Sequence, residues 1–384
     1  MANEPVIDGH CDPRFASVRD AFIANFEAGR EVGASFAATV NGEFVVDLWG
    51  GYVDAASTRP WERDTLINVF STTKAMTALC AHILVDGGAL DVDSPVARYW
   101  PEFAQARKER ITTRQLLSHT AGLAGIRQPL PTEALYDWKR MIDVLAAEAP
   151  WWEPGTANGY HPLTYGYLVG EVIRRISGKT PGAFFRDEVA APLEADFHIG
   201  LPESEDDRVA EMVPPTTEEL AAAGAPTTID PETLSGRAIG NPPLRAEFAN
   251  RPEWRRAEIP AANGHGDARS VARVMALLAC GGKLDGVRLL SEQTIAKAIA
   301  EQRYAKDLVL GFKMRWGLGF MLTSRQLPVG PNPRTFGHGG WGGSLGFADL
   351  DARVSWSYIM NKMSPGTAGD TRVAGMLAAL YGAL

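Results

Sequence analysis

From Asp12 onward, Phe15, Val18, Phe22, Ile23 and Phe26 recur at helical spacing behind an Asp-Pro pair, which predicts an N-capped surface helix ending within residues 29–33. The period then changes to two. Residues 35–40 and 44–49 flank Asn41-Gly42, the dipeptide that most strongly marks a tight hairpin, so a sheet begins here. Ala75, Met76, Ala78, Leu79, Ala81, Ile83 and Leu84 restore the helical pattern until Gly87-Gly88 stops it after about four turns. Further helices are expected over 112–117, 131–149, 165–176 and 181–190, separated by Pro and Gly. Residues 203–262 are richer in Pro, Glu and Ala with little periodicity, and an extended wrapping loop is expected there. Helices return at 270–280 and 291–300, with Ser270 and Ser291 as the capping residues, followed by strands at 314–322, 344–350 and 354–360 and an apolar helix at 370–380.

Strands at both ends with helices between predict an α+β fold in two parts. Residues 1–75 and 265–384 would form one discontinuous domain, an antiparallel sheet flanked by helices. Residues 76–264 would form a mostly helical domain with extended loops, and the active site would lie at the junction. A chain of 384 residues, 45% hydrophobic and 22% charged, can bury a core of that size. The net charge of −8, without any Lys/Arg run, argues against a nucleic-acid partner. Cys11, Cys80 and Cys280 are odd in number and widely spaced, so no disulfide framework is expected. The first residues lack a basic segment and an apolar core, and no apolar run approaches 18 residues. A cytoplasmic protein without a membrane partner is the expectation.

The chemistry concentrates at Ser71-Thr72-Thr73-Lys74, where an apolar run meets the helix. Residues three apart on a helix lie about 5–6 Å from each other between Cβ atoms, so the Lys74 amine can reach the Ser71 hydroxyl. Serine is a weak nucleophile until a base takes its proton, and lysine is such a base only if its pKa falls well below about 10.4. N–H groups at the helix start would favour negative charge on an attacked carbonyl oxygen. An N-cap serine followed by a solvated lysine fits the same letters. Tyr160 stands in a loop just before a helix, with Pro162 at its expected first position. Its phenol could relay a proton beside Ser71 and Lys74 if a nearby ammonium lowers its pKa; a core tyrosine would read the same way.

Residues 337–346 hold six glycines in ten positions, a density that implies close backbone approach. Two motif matches there mislead. Gly337 to Gly342 fits G-x-G-x-x-G without a following βαβ unit, and Ser344 fits G-x-S-x-G without the helix a nucleophile elbow needs. The seven histidines show no H-E-x-x-H and there is no C-x-x-C, so neither metal nor cofactor is expected. His119 reads as a turn residue, and Asn263-Gly264-His265-Gly266 as a helix-entry turn, with polar side chains lining a cleft as the alternative.

Taken together, Ser71-Thr72-Thr73-Lys74, Tyr160-His161-Pro162 and His338-Gly339-Gly340 resemble the three ordered motifs of the serine β-lactamase and penicillin-binding-protein superfamily, in its class C-like branch. Over most of residues 15–384 the chain looks most like the family VIII carboxylesterases. The resemblance implies a serine β-lactamase-like fold with Ser71 as acylated nucleophile, Lys74 as proton acceptor and Tyr160 as relay partner. It further implies an oxyanion hole from the backbone N–H groups of Ser71 and Trp341, and a glycine-rich strand, His338, Gly339 and Gly340, against which substrate lies. Two positions depart from the lactamase pattern: Pro162 replaces an asparagine, and His338 replaces a lysine. Both lost groups would serve a β-lactam, and neither is needed for a neutral ester. The implied activity is hydrolysis of short-chain carboxylic esters, small molecules, through an acyl-enzyme. A β-lactamase, a D-amino-acid peptidase, an acyltransferase and a catalytically inactive binding module are the alternatives.

Overall fold

The computed structural model describes residues 6–224, 230–366 and 370–384. Asn41 (φ 53°) and Gly42 (φ 91°) both take left-handed backbone, the mirror-image turn whose twist suits a hairpin, and they pair Val40 with Glu43. Around that hairpin grows a sheet of nine antiparallel strands, in the order Ile7–Cys11, Glu43–Gly51, Gly33–Val40, Val354–Met360, Leu345–Asp349, Thr335–Gly339, Met321–Leu322, Lys313–Trp316 and Arg303–Lys306. The two ends of the chain thus meet in mid-sheet. Val354–Met360 is buried at every residue because helices cover both faces. On one, the Ser355 hydroxyl donates to the Ala272 carbonyl (2.7 Å) of the helix Ala268–Ala279; on the other, Tyr358 lies beneath Arg372 of the C-terminal helix Arg372–Gly382, which packs against Ala16–Glu27.

The helix Thr73–Asp86 is buried on almost every side, Lys74 included, and Gly88 (φ 72°) ends it. It touches the strand Thr335–Gly339 and the helix Glu292–Ala298 on the sheet side, and Thr164–Ser177 and Pro181–Phe185 on the helical side. A second, three-stranded sheet of Ile67–Asn68, Gly264–Gly266 and Phe197–Ile199 ties the segment before this helix to the middle of the chain.

Several expectations need correction. Residues 203–262 are not an extended loop: Glu203–Arg208, Thr217–Ala222, Leu234–Gly240, Ala246–Asn250 and Pro252–Arg256 are short helices, each too brief to display a period, while 225–229 lie outside the described residues. Region 131–149 splits at Asp137, whose carboxylate accepts the Arg140 N–H and starts a new helix. Asp267, rather than Ser270, caps Ala268–Ala279 by accepting the Ser270 N–H at 2.6 Å. Residues 314–322 form two strands folded about Gly319 (φ 84°). Gly264–Gly266 is a strand paired on both edges, not a helix-entry turn, and Asn263 turns inward to donate to the Trp254 carbonyl at 2.9 Å. Among the described residues no helix is long and apolar enough to cross a membrane.

Candidate active site

The turn before the central helix is pinned from two directions. The Val69 N–H donates to the Gly264 carbonyl (2.8 Å), the Thr73 hydroxyl donates to the Phe70 carbonyl (2.5 Å) and accepts from the Gly264 N–H (2.8 Å), and the Ser344 hydroxyl donates to the Val69 carbonyl (2.6 Å). Phe70 is held at φ 43°, a conformation costing on the order of 1–3 kcal/mol, with its ring braced by Trp341 (5.2 Å) and Trp254 (6.4 Å). This strained turn presents Ser71 to a cavity of about 160 Å³. Ser344, by contrast, is buried and spends its hydroxyl on Val69 and Thr72.

Lys74 is 0% exposed, and its Nζ lies 3.1 Å from Ser71 Oγ, 2.7 Å from the Pro162 carbonyl and 2.9 Å from the Ala261 carbonyl. Burial holds its pKa well below 10.5, and no carboxylate pairs with it among the described residues. A neutral amine has two N–H donors and one lone pair. Both carbonyls can only accept, so they take the two donors, and the lone pair is left for the Ser71 hydroxyl. Pro162 stands before the helix Thr164–Ser177, not at its first position, and contributes its carbonyl; neither it nor Ala261 announces that role in the sequence.

Tyr160 lines the same cavity as Ser71, with Lys74 Nζ 4.7 Å from its ring centroid, and the Trp316 ring runs parallel to it at 5.8 Å and 3°. Burial pushes its phenol pKa up, the nearby Ser71 hydroxyl opposes this and the Asp307 charge adds to it. The condition for a lowered phenol pKa is not met, because burial outweighs the one influence that would lower it. Tyr160 is a protonated donor.

His338 Nδ1–H donates to the Gly339 carbonyl at 2.7 Å, and its pKa is pushed down to about 3, chiefly by burial. His161 is likewise pushed to about 3 by burial, and its backbone N–H donates to Nδ1 of His119, which sits at a turn with φ 59°. These imidazoles are neutral. At Gly340 a Cβ would fall 2.3 Å from the Val69 carbonyl and 3.3 Å from the Ser71 nitrogen, so only glycine lets this strand end approach Ser71. Trp341 follows at the cavity rim. Among the described residues neither the Ser71 N–H nor the Trp341 N–H has a protein acceptor. The cavity walls are apolar, including Leu163, Ile239, Leu244, Met314 and Met321, with His338 and Gly339 at one side; no Asp, Glu, Lys or Arg side chain lines it among the described residues.

The structure therefore gathers Ser71, Lys74, Tyr160, His338, Gly339, Gly340 and Trp341 at one place. Sequence reasoning missed Trp316 and Asp307, whose link to Tyr160 spans 147 residues in the chain for the carboxylate. Among the described residues no group of three or more His, Cys, Asp or Glu side chains could hold a metal ion.

The Beta-lactamase family model matches residues 19–380. The chain is 36% identical over 363 residues to Esterase/beta-lactamase LipL of Mycobacterium tuberculosis, covering 92% of this chain and 83% of that protein. Among solved structures it is similar to a family VIII carboxylesterase (47% identity, TM-score 0.91, 99% of this chain and 100% of the other). A penicillin-binding protein homologue from Caulobacter crescentus is similar to the same extent (44% identity, TM-score 0.92, 99% and 100%). A match over nearly the whole chain, with the fold of those relatives, makes this protein a member of the beta-lactamase family.

Proposed function

We propose that the chain is a serine carboxylesterase acting on small neutral esters. The observation that carries this reading is the Lys74 amine, its donors occupied by two carbonyls and its lone pair left for Ser71, beside an uncharged apolar cavity. Lys74 Nζ takes the Ser71 proton as Oγ bonds to the ester carbonyl carbon. The carbonyl oxygen becomes an anion held by the Ser71 and Trp341 N–H groups. As the tetrahedral centre collapses, the bond to the alcohol oxygen breaks and that oxygen takes a proton from Tyr160, which recovers one from Lys74. Water then repeats the sequence on the acyl-Ser71 bond and releases the acid. The same reading divides the chain into a sheet domain (1–75 and 265–384) and a helical domain (76–264), supported by the contacts of the helix Thr73–Asp86 with elements of both.

Similarity to proteins named as esterases supports the ester as substrate, and the lining supports a neutral one. A β-lactam brings a carboxylate, and a site without a cation forgoes a charge-assisted hydrogen bond worth roughly 1.5–3 kcal/mol. A fluorophosphonate probe should label Ser71, Ser71→Ala should abolish hydrolysis of nitrophenyl butyrate, and Ser344→Ala should retain most of it. Turnover of nitrocefin should be at least about tenfold less efficient, and His338→Lys should narrow the gap. Equal efficiency on both substrates, or labelling elsewhere than Ser71, would replace this reading.

A further inference from the structure

Asp307 lies outside every motif, is 0% exposed and accepts five hydrogen bonds. Oδ1 takes the backbone N–H groups of Tyr160 (2.9 Å), Val309 (3.0 Å) and Leu310 (3.0 Å). Oδ2 takes Asn158 Nδ2 (3.0 Å) and, at 3.4 Å, the indole N–H of Trp316. Arg, Lys and His are absent from this set, so the carboxylate is held by neutral donors alone. A buried carboxylate without a cation is expensive to desolvate, and a fold keeps one only where its hydrogen bonds are nearly complete.

What those bonds fix is informative. One holds the main chain of Tyr160, and another holds Trp316, the ring that lies parallel to the Tyr160 ring. The Leu308 N–H donates to the Asn158 carbonyl at 2.9 Å, which joins the same two segments a second time. The Tyr160 segment and the Arg303–Lys306 to Lys313–Trp316 hairpin are therefore clamped at one carboxylate, and Leu310, which lines the cavity, hangs from it as well.

We infer that Asp307 is the positioning residue for Tyr160, fixing at once the backbone that carries the phenol and the indole that bounds its ring, so that the hydroxyl is held on Ser71. This rests on the reading of Tyr160 as the proton carrier. Asp307 touches no reacting atom. A misplacement of about 1 Å in such a group lowers turnover by about 10²-fold, with little change in the binding of an apolar substrate.

Asp307→Ala and Asp307→Asn separate the contributions. Asparagine keeps Oδ1 for the three backbone donors, and its Nδ2 can meet Asn158 after an amide flip, since Asn158 Oδ1 has no partner of its own. With nitrophenyl butyrate, kcat of Asp307→Ala should fall about 10²-fold with KM within about threefold, while Asp307→Asn recovers at least about tenfold of that loss. In a Tyr160→Phe background either substitution should cost less than about threefold more, because the group being positioned is gone. Thermal unfolding identifies the folded variants; if the alanine variant does not fold, the asparagine variant and its Tyr160→Phe double mutant carry the test. Wild-type kcat in a folded Asp307→Ala, or in Asp307→Asn if the alanine variant does not fold, would overturn the inference. So would losses that multiply fully with Tyr160→Phe. Full activity in Tyr160→Phe alone would instead overturn the role of Tyr160.

Discussion

Among the described residues two lysines are fully buried, Lys74 in the site and Lys108 outside it, and each has three hydrogen-bond partners. The partners differ by one atom type. Lys108 Nζ donates to the carbonyls of Gln105 (3.0 Å), Ala146 (2.8 Å) and Glu148, three acceptors that need three N–H donors. Only an ammonium satisfies them all, and the Phe103 ring 5.1 Å away favours the charge. Burial brings its pKa down to about 8, partly opposed by the Glu148 carboxylate, which leaves it mostly protonated at pH 7. Lys74 has two carbonyls and a hydroxyl, and the hydroxyl can give as well as take. Swapping one carbonyl for one hydroxyl leaves the Lys74 amine a lone pair to offer.

The largest test of this contrast is activity. Lys74→Met should lower kcat by about 10³-fold or more, within the range set by removal of a general base, whereas Lys108→Met should stay within about threefold of wild type. Nitrophenyl ester kinetics on both variants checks it, and comparable losses in both would erase the distinction.

Stability should rank them in the opposite order. Lys108→Met leaves three buried carbonyls without a donor and should cost about 2–4 kcal/mol in urea unfolding, since each orphaned group is expensive and the relief of a buried charge offsets only part of that. Lys74→Met orphans only two carbonyls and relieves the burial of an amine that is neutral in the fold but charged in the unfolded chain, so its loss should be less than half as large.

The smallest effect is a pH dependence. The folded protein releases the Lys108 proton near pH 8, while the unfolded chain keeps it to about 10.5. Between those values the unfolded state binds more protons, so the contribution of Lys108 to stability rises with pH, and the gap between wild type and Lys108→Met should widen from pH 8 to pH 10. A gap that narrows over this window would mean that the ammonium is stabilised by its site rather than strained by it.

How much of this was legible in the sequence follows from the kind of group involved. The Asn41-Gly42 hairpin, the helix behind Asp12-Pro13 and the Ser71–Lys74 pairing rest on side-chain type and short spacing, and each is read directly. Gly340 signalled a close approach, though not that the neighbour is the Ser71 nitrogen. The rest is written in groups without a letter. Pro162 and Ala261 act through carbonyls, so a position that looks like a lost asparagine still reaches Lys74. The strands Ile67–Asn68, Phe197–Ile199 and Gly264–Gly266 are two or three residues long and cannot show a period of two. Asp307 meets Tyr160 only through the sheet edge, at a separation no local pattern spans.

The state of Lys74 before reaction is the point on which the site depends, and the pH dependence of Ser71 acylation reads it most directly. The pre-steady-state burst of nitrophenol from a short ester, followed from pH 5 to pH 10, reports the fraction of enzyme whose base is free. With Lys74 already a neutral amine, the burst rate should reach its plateau well below 10.5, the ordinary lysine value, and Lys74→Met should remove the burst across the whole range. A rate that is still climbing about tenfold per pH unit toward 10.5, as for a lysine that must first give up its proton to solvent, would contradict the assignment of Lys74 as the resting base.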